Sequence, residues 1–254
     1  MNRTRRQVLG VGASVMLWGC SRSPEAELTR SEAAWAKAFA RQDEARAKAG
    51  LPALTEVKKA LRHKFRGLLG GELVVDAFGE KVGVNIFDEK GQIFYKSAAL
   101  SPRNQSQHAY GADFGVPVSL RAEWRVDGPE VNGVIQNPIY ADVTQPGYVG
   151  GIVIGNYTAV VAERVSEVLL NDLRMKGGGF RLKIRLHDEG LLVGWDIARR
   201  VGYDPKMSER GVHFSEEYFN VEGDFHPARI YGGKVVTPGW YIHPRTKERI
   251  ETDF

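Results

Sequence analysis

The sequence predicts an α+β fold with an N-terminal helical segment, an antiparallel β-rich body of sandwich-like type and one longer helix near 159–176. Three observations support this prediction. Residues 24 to 69 are rich in alanine and carry apolar side chains at helical spacing. From about residue 72 the apolar residues recur with a period of two, as in half-buried strands. A single stretch of helical spacing interrupts this pattern after Thr158.

The first nineteen residues have the features of an export signal. Arg5 and Arg6 precede an apolar run, Val8 to Trp18, of about eleven residues, whereas a membrane-spanning helix needs about twenty. The arginine pair resembles a twin-arginine export signal. Cys20, the only cysteine, follows LWG and resembles the lipidated cysteine of a bacterial lipobox, although Trp18 departs from that pattern. We therefore expect a lipoprotein that is anchored to a membrane of the bacterial cell envelope through Cys20 and faces the periplasm.

Charge and cysteine content narrow the functional classes. Residues 1 to 19 hold three arginines and no acid, so their removal lowers the formal charge from +4 to +1. A nucleic-acid-binding protein usually needs a strongly basic surface, so no nucleic-acid partner is expected. No intramolecular disulfide can form, and stability must come from a packed core. The 254-residue chain, which is 43% hydrophobic, is long enough to form a buried hydrophobic core, in one or two domains.

Two helices are predicted in the N-terminal segment. In the first, Leu28, Trp35 and Phe39 share one side, and Gly50 and Pro52 end the helix. A second begins near Leu54, and its apolar stripe consists of Leu54, Val57, Leu61, Phe65 and Leu68. Its opposite face is basic, with Lys58, Lys59, Arg62, His63, Lys64 and Arg66. That face is either held against anionic lipid or simply solvated, and the solvated interpretation is favoured because charge runs on surface helices are common.

Alternating strands are predicted from residue 82 onward. The clearest, Val118 to Val126, alternates apolar with charged side chains and predicts a sheet with one solvated face. The polar stretch Ser101 to Gly115 is interpreted as a long loop that is either a binding surface or a simple connection.

One longer helix is predicted after these strands. Thr158 is the expected N-cap, and Lys176 and Gly177 mark the expected end. The buried stripe is predicted to contain Val161, Val165, Val168 and Leu169. Three glycines follow this helix and precede a strand, so they indicate a linker rather than a phosphate-binding loop, which would precede a helix.

Hairpins are predicted for the C-terminal part. If the turn after the strand at 180–186 consists of Asp188 and Glu189 alone, Arg181 lies opposite Asp196. The glycine pair at 232–233 is expected to join two short strands, and residues 240–251 to form another hairpin. Arg199 to Gly223 has no clear periodicity and is predicted to be a protruding loop.

Common catalytic patterns are missing from the mature sequence. It contains no G-x-S-x-G, no H-E-x-x-H, no cysteine pair and no Walker loop, so no catalytic residue, metal site or cofactor is predicted. The six histidines are scattered singly and are interpreted as surface or core residues. The sequence does not exclude a catalytic site formed by residues that are far apart along the chain.

The stretch GGGFRLKIRLHDEGLLVGWDIARR and the ending KVVTPGWYIHPRTKERIETDF, together with the anchor signal, resemble periplasmic lipoproteins encoded beside type VI secretion effectors. In that family the lipoprotein is an immunity protein that binds a lipase-type toxin. The resemblance implies that exposed loops contact the toxin, and it transfers no catalytic residue. Ser101 to Gly115 and Arg199 to Gly223 are the expected contact regions. Aromatic residues dominate interface energies, and the candidate partner-binding residues are Tyr110, Tyr203, Tyr218 and Phe219.

Three functional hypotheses follow from the sequence. The first is an immunity protein that inhibits a toxin encoded nearby, the second a non-enzymatic envelope scaffold or assembly lipoprotein, and the third an enzyme of unrecognised type; a non-enzymatic protein is preferred. The expected organisation is a signal peptide at 1–19, an anchor and helical segment at 20–70 and a β-rich module at 71–150. Residues 151–254 supply a helix and antiparallel hairpins that pack with 71–150 as one globular body.

Overall fold

The computed structural model describes residues 24–68, 71–102, 106–110, 115–126, 130–131, 134–135, 152–202 and 215–253. These residues form a mixed α+β fold that is mostly sheet, with three helices, as the sequence predicts. None of the helices in the described ranges is both long enough and apolar enough to cross a membrane.

The N-terminal segment contains helices α1 (Pro24–Lys48) and α2 (Glu56–Lys64). Gly50 has a φ of +67° just beyond α1, as expected for a residue that ends a helix. The basic face of α2 is used within the chain. Arg62 donates two hydrogen bonds to the carboxylate of Asp43, at 2.8 and 3.0 Å, and Arg66 pairs with Glu32. The basic face of α2 is therefore not purely solvated, because two of its arginines form ion pairs with α1.

Two larger sheets make up the body. The five-stranded sheet has the order β11 (Ser215–Gly223), β10 (Gly190–Val201), β9 (Gly179–His187), β1 (Gly71–Ala77), β4 (Ser106–Tyr110). The four-stranded sheet has the order β3 (Ile93–Leu100), β2 (Lys81–Phe87), β5 (Ser119–Val126), β8 (Ile152–Val160).

Smaller sheets complete the described fold. One consists of β12 (Phe225–His226), β15 (Gly239–Ile242) and β16 (Arg249–Thr252), and two hairpins are formed by β6 (Glu130–Val131) with β7 (Val134–Ile135) and by β13 (Arg229–Tyr231) with β14 (Lys234–Thr237). The predicted glycine turn at 232–233 and the hairpin at 240–251 are confirmed.

The central pair of the five-stranded sheet is parallel, in contrast to the wholly antiparallel body expected. β1 pairs with β9 in parallel from Gly71 opposite Phe180 to Ala77 opposite Leu186. Parallel neighbours need a long crossover connection, and here the connection contains the entire four-stranded sheet and helix α3 (Glu167–Lys176). A pattern of local alternation cannot reveal such a distant pairing.

One core cluster takes side chains from both large sheets. Phe180, Leu182, Ile184 and Leu186 of β9 are completely buried in it, and so are Leu120 and Ala122 of β5. The other face of β9 is buried as well, so the strand is covered on both sides. Its alternation of apolar and basic residues therefore does not mark a solvated face.

The predicted helix near 159–176 starts too early. Residues 152–160 form β8, in which Thr158 lies opposite Arg121 of β5 instead of capping a helix. The physical reason is the sequence IVIGNYTAV, whose β-branched residues favour a strand that can pair with β5. Helix α3 is capped by Ser166, whose Oγ accepts a hydrogen bond from the amide of Leu169. The predicted end at Lys176 and Gly177 is confirmed. Val168, which is expected in the buried stripe, is instead 73% exposed.

Two segments predicted to be loops contain strands. Ser101 to Gly115 includes β4, which pairs with β1. Arg199 to Gly223 includes the end of β10 and all of β11, and these two strands pair with each other. A β-bulge and a positive φ at Asn220 interrupt the period of β11, which explains why its alternation is hard to recognise.

Candidate functional site

Two of the four predicted partner-binding aromatics lie side by side on strand β11. Because neighbouring strand residues point to opposite faces, Tyr218 and Phe219 have different roles. Phe219 packs against the core, whereas Tyr218 is 40% exposed. Tyr110 ends β4, and its side chain is outside the described part. Also outside it are Tyr203 and the predicted signal and anchor residues Arg5, Arg6 and Cys20.

Tyr110 and Tyr218 do not belong to one compact group. They lie on β4 and β11, the opposite edges of the five-stranded sheet. With neighbouring strands about 4.8 Å apart, four strand spacings separate these edges by about 19 Å. Among the predicted aromatics with described side chains, Tyr218 is the one placed for contact with a partner.

A buried arginine packs against the ring of Tyr218. The guanidinium carbon of Arg181 lies 3.6 Å from the ring centroid, which is a close cation–π contact. Arg181 comes from β9, two strands away, and its side chain is 10% exposed. The sheet therefore fixes both partners of the contact.

Asp196 in turn holds Arg181 in place. Its two carboxylate oxygens accept hydrogen bonds from Nε and Nη2 of Arg181 at 2.8 and 2.7 Å. This is the cross-strand pair that the sequence predicts, and the turn consists of Asp188 and Glu189 as required. Lys183 also lies near this carboxylate, with Nζ 3.0 Å from Oδ2 of Asp196. One carboxylate thus serves two buried cations.

The electrostatics of this group are set by burial and by the ion pairs together. Burial alone would raise the pKa of Asp196, but the hydrogen bonds from Arg181 and the charge of Lys183 outweigh it and lower that pKa. For Lys183, burial is the largest effect and lowers the pKa despite the nearby carboxylate. The pKa of Arg181 is raised because the bonds with Asp196 overcome the cost of burial.

A second buried ion pair repeats the arrangement farther along β9. Arg185 donates hydrogen bonds from Nε and Nη2 to the carboxylate of Asp76 at 2.7 and 2.8 Å. Its guanidinium carbon is 4.5 Å from the ring centroid of Phe225, and Nζ of Lys183 is 5.4 Å from the same centroid. We refer to Asp76, Arg181, Lys183, Arg185 and Asp196 as the buried charge row.

The geometry of the buried charge row fits a supporting role rather than chemistry on a substrate. Its five side chains are between 1% and 10% exposed, and aromatic rings cover its cations. The ring of Tyr218, which contacts Arg181 of the row, is the neighbouring group that is exposed at the surface. The sequence contained the signal for the Arg181 to Asp196 pair, but it gave no sign of the aromatic cover from Phe225.

Two histidines that are far apart in sequence meet in the structure. The ring centroids of His187 and His243 are 5.4 Å apart, although the two residues stand singly in the sequence. Both Nδ1 atoms accept backbone hydrogen bonds, from Glu189 for His187 and from Arg245 and Thr246 for His243. Burial lowers the pKa of His187, and His243 adds to this effect. The pair stabilises the neighbouring turns.

A cleft of about 270 Å³ lies between β8, the turn from β9 to β10, and β15. Three of its charged groups are paired: Arg164 binds the carboxylate of Asp224 at 2.5 and 3.0 Å, and Glu189 binds Arg245. In the described ranges no three His, Cys, Asp or Glu side chains are grouped as a metal ion would require.

Comparisons with protein-family models, with curated proteins and with solved structures found no match for the chain.

Proposed function

We propose that this chain is a membrane-anchored envelope lipoprotein that acts as a binding protein, and specifically as an immunity protein that binds and neutralises a type VI secretion effector of the lipase type. The export signal, Cys20 and the resemblance of the strands from Val82 onward support the cellular setting. In this setting Cys20 carries the lipid, and the folded body faces the periplasm.

The observation that carries the binding role is the exposed ring of Tyr218, which is held in one orientation by Arg181 and Asp196. Tyrosine is a frequent interface anchor because it buries a large area at a low cost in conformational entropy. A ring that is already fixed before binding loses still less freedom on association. A sandwich-like body, supported by the core that the two large sheets share, would act as the rigid frame for this anchor.

The edge position of Tyr218 adds to this support. Strand β11 lies at the end of the five-stranded sheet as described, with β10 on its inner side. Edge strands offer backbone donors and acceptors to a partner protein, and the side chains on such a strand provide specificity.

The first experiment is rescue of a susceptible cell that produces the neighbouring effector in its periplasm. We expect growth to be restored by the full chain and a one-to-one complex to be recovered from the envelope fraction. Absence of both rescue and complex would overturn the proposal. Recovery of a structural envelope component in place of the effector would favour the scaffold function.

Variants of the anchor test the role of Tyr218 directly. Removal of a central aromatic anchor typically costs about 2 kcal/mol of binding free energy or more, so we expect Tyr218→Ala to weaken the complex by about 30-fold. Tyr218→Phe keeps the ring over Arg181 and should retain most of the affinity. Ile93→Ala is the matched control, because Ile93 is a 58% exposed residue on an edge strand of the other sheet. Equal affinities for Tyr218→Ala and Ile93→Ala would exclude Tyr218 as an anchor.

A further inference from the structure

The hairpin of β13 and β14 has features that the proposed protein-binding site does not use. Gly232 and Gly233 form its turn with φ values of +58° and +78°, and they give the two-residue turn a conformation that suits glycine. The two strands pair with each other, and no ladder links them to another strand of the described fold. We refer to residues 229–237 as the apolar hairpin.

Three aliphatic side chains of the apolar hairpin are open to solvent. Ile230 and Val235 lie directly opposite each other in the ladder, yet they are 61% and 46% exposed. Val236, next to a register shift, is 62% exposed. Single exposed aliphatic residues are common on protein surfaces, whereas adjacent ones that form a patch mark interaction sites. A two-stranded ribbon is also only marginally stable in water by itself.

The charges of the apolar hairpin define what it can contact. Its sequence, RIYGGKVVT, contains Arg229 and Lys234 and no acidic residue. Both of these basic residues are exposed. Apolar side chains beside cations match the boundary between the acyl chains and the headgroups of an anionic bilayer, where the apolar groups insert and the cations contact phosphate.

We infer that the apolar hairpin docks on an anionic phospholipid surface, with Ile230, Val235 and Val236 inserted among the lipids and Arg229 and Lys234 at the headgroups. A lipid surface is favoured over a second protein because the anchor at Cys20 would hold the chain beside a bilayer, where even a weak contact is formed efficiently. This biological setting rests on the proposed function. The lipid contact itself can be measured without the effector.

A fluorescent label at position 236 tests the contact in the full chain. Cys20 is the only cysteine, so Cys20→Ala removes both the lipid and the native thiol, and Val236→Cys then carries an environment-sensitive dye. The probe is a phosphatidylcholine vesicle with or without phosphatidylglycerol. We expect a blue shift with phosphatidylglycerol only, and a smaller shift at high salt. Val168→Cys is the matched control, since Val168 is 73% exposed on α3 and should show no shift.

Removal of charge from the hairpin gives a quantitative check. A basic residue near an anionic surface contributes about fivefold in vesicle affinity, so Lys234→Ala and Arg229→Ala should each weaken binding by about that factor. No shift at position 236, equal shifts at 236 and 168, or a shift that is independent of phosphatidylglycerol would overturn the inference.

The two proposals fail in different ways. If Ile230→Ser with Val235→Ser leaves the effector complex intact and abolishes the vesicle response of the chain labelled at position 236, both proposals are supported. If that double variant breaks the effector complex and the labelled chain shows no vesicle response, the hairpin contacts protein and the lipid inference is wrong. A vesicle response without any effector complex would retain the lipid contact and reject the immunity function.

Discussion

Asp196 is a buried carboxylate that lies against two buried cations at once. Its carboxylate is 1% exposed and is the shared counter-charge of Arg181 and Lys183, which are 10% and 2% exposed. Removal of one partner of a buried ion pair leaves an uncompensated charge, and this costs far more than the intact pair contributes. The stability of the five-stranded sheet therefore depends on this one carboxylate.

We expect Asp196→Ala to lower the free energy of unfolding by about 3–5 kcal/mol, because two cations lose their buried counter-charge. Urea denaturation monitored by tryptophan fluorescence measures the change. Asp43→Ala is the control, since it breaks a two-bonded pair with Arg62 at a more exposed position and should have a smaller effect. If the two variants lose equal stability, the buried charge row does not have the importance assigned to it.

The lowered pKa of Asp196 also predicts a pH dependence. The ordinary pKa is 3.8, and the folded value lies below it, so the unfolded chain takes up a proton first as the pH falls. The stabilisation from Asp196 is complete above the ordinary pKa and is lost as the pH falls through the folded value. The free energy of unfolding should therefore decrease from about pH 5 downward, and less steeply for Asp196→Asn.

Urea titrations at a series of pH values measure how the free energy of unfolding changes with pH in the wild type and in Asp196→Asn. Glu32, Asp43 and Asp172 also have lowered pKa values, so the difference between the two slopes isolates Asp196. Parallel slopes for the wild type and Asp196→Asn would contradict the assignment.

The sequence predicts the Arg181 to Asp196 pair because strand pairing follows from a two-residue turn. It does not predict that the pair is buried. The ring over Arg181 is that of Tyr218, and Phe225 contacts the neighbouring Lys183; both rings lie on other strands and reach these cations only in the folded chain. The same limit applies to His187 and His243, whose contact depends on how separate turns pack.

At the level of secondary-structure elements, helix α3 depends on a cap with two functions. The hydroxyl of Ser166 accepts a hydrogen bond from the amide of Leu169 and donates one of 2.5 Å to Glu222 of β11. Glu222 also accepts a 2.8 Å hydrogen bond from the indole of Trp195. The start of α3 is thereby fixed to the five-stranded sheet.

We expect Ser166→Ala to cost more than the roughly 1 kcal/mol of an ordinary N-cap, because Glu222 loses a donor at the same time. Thr55→Ala is the matched control. Thr55 caps α2 through a 3.3 Å hydrogen bond and is exposed. Thermal unfolding of the two variants under the same conditions compares them. A larger loss for Thr55→Ala would show that the contact with Glu222 does not stabilise the fold.

Elements were predictable where the signal is local. The glycine turn at 232–233, the end of α3 at Gly177 and the hairpin of β9 and β10 all follow from a few adjacent residues. The start of α3 was misplaced because residues 158 to 169 carry apolar side chains that fit helical spacing, and the pairing of β8 with β5 overrides that spacing. Strand β11 was missed because its period is interrupted.

At the level of the whole molecule, Arg174 connects the N-terminal helices to the body. Its side chain is 1% exposed, and it donates hydrogen bonds to the backbone carbonyls of Lys64, the last residue of α2, and of Arg66 just beyond it. Phe65 completes the contact by packing against Phe180 at a centroid distance of 6.4 Å. A single buried guanidinium thus satisfies carbonyls at the C-terminal end of α2.

We expect Arg174→Met to loosen this attachment, because the two carbonyls lose their donor. Hydrogen exchange in α1 and α2 should accelerate by about tenfold, and cleavage in the connection at 49–55 should be faster in limited proteolysis. Lys176→Met is the control, because it removes an exposed basic residue from the same helix. Equal exchange rates in the two variants would indicate that apolar packing alone holds the helices.

The parallel pairing of β1 with β9 governs when this molecule can fold. Asp76 and Arg185 bridge the two strands across 109 residues of chain, so the centre of the main sheet closes only after β9 has been synthesised. Until then β1 is an open edge, and such edges favour association between chains. Long-range closure of this kind also slows folding. A chain that terminates before residue 179 would therefore be prone to aggregate, whereas one that lacks only its last hairpin could still form the central sheet.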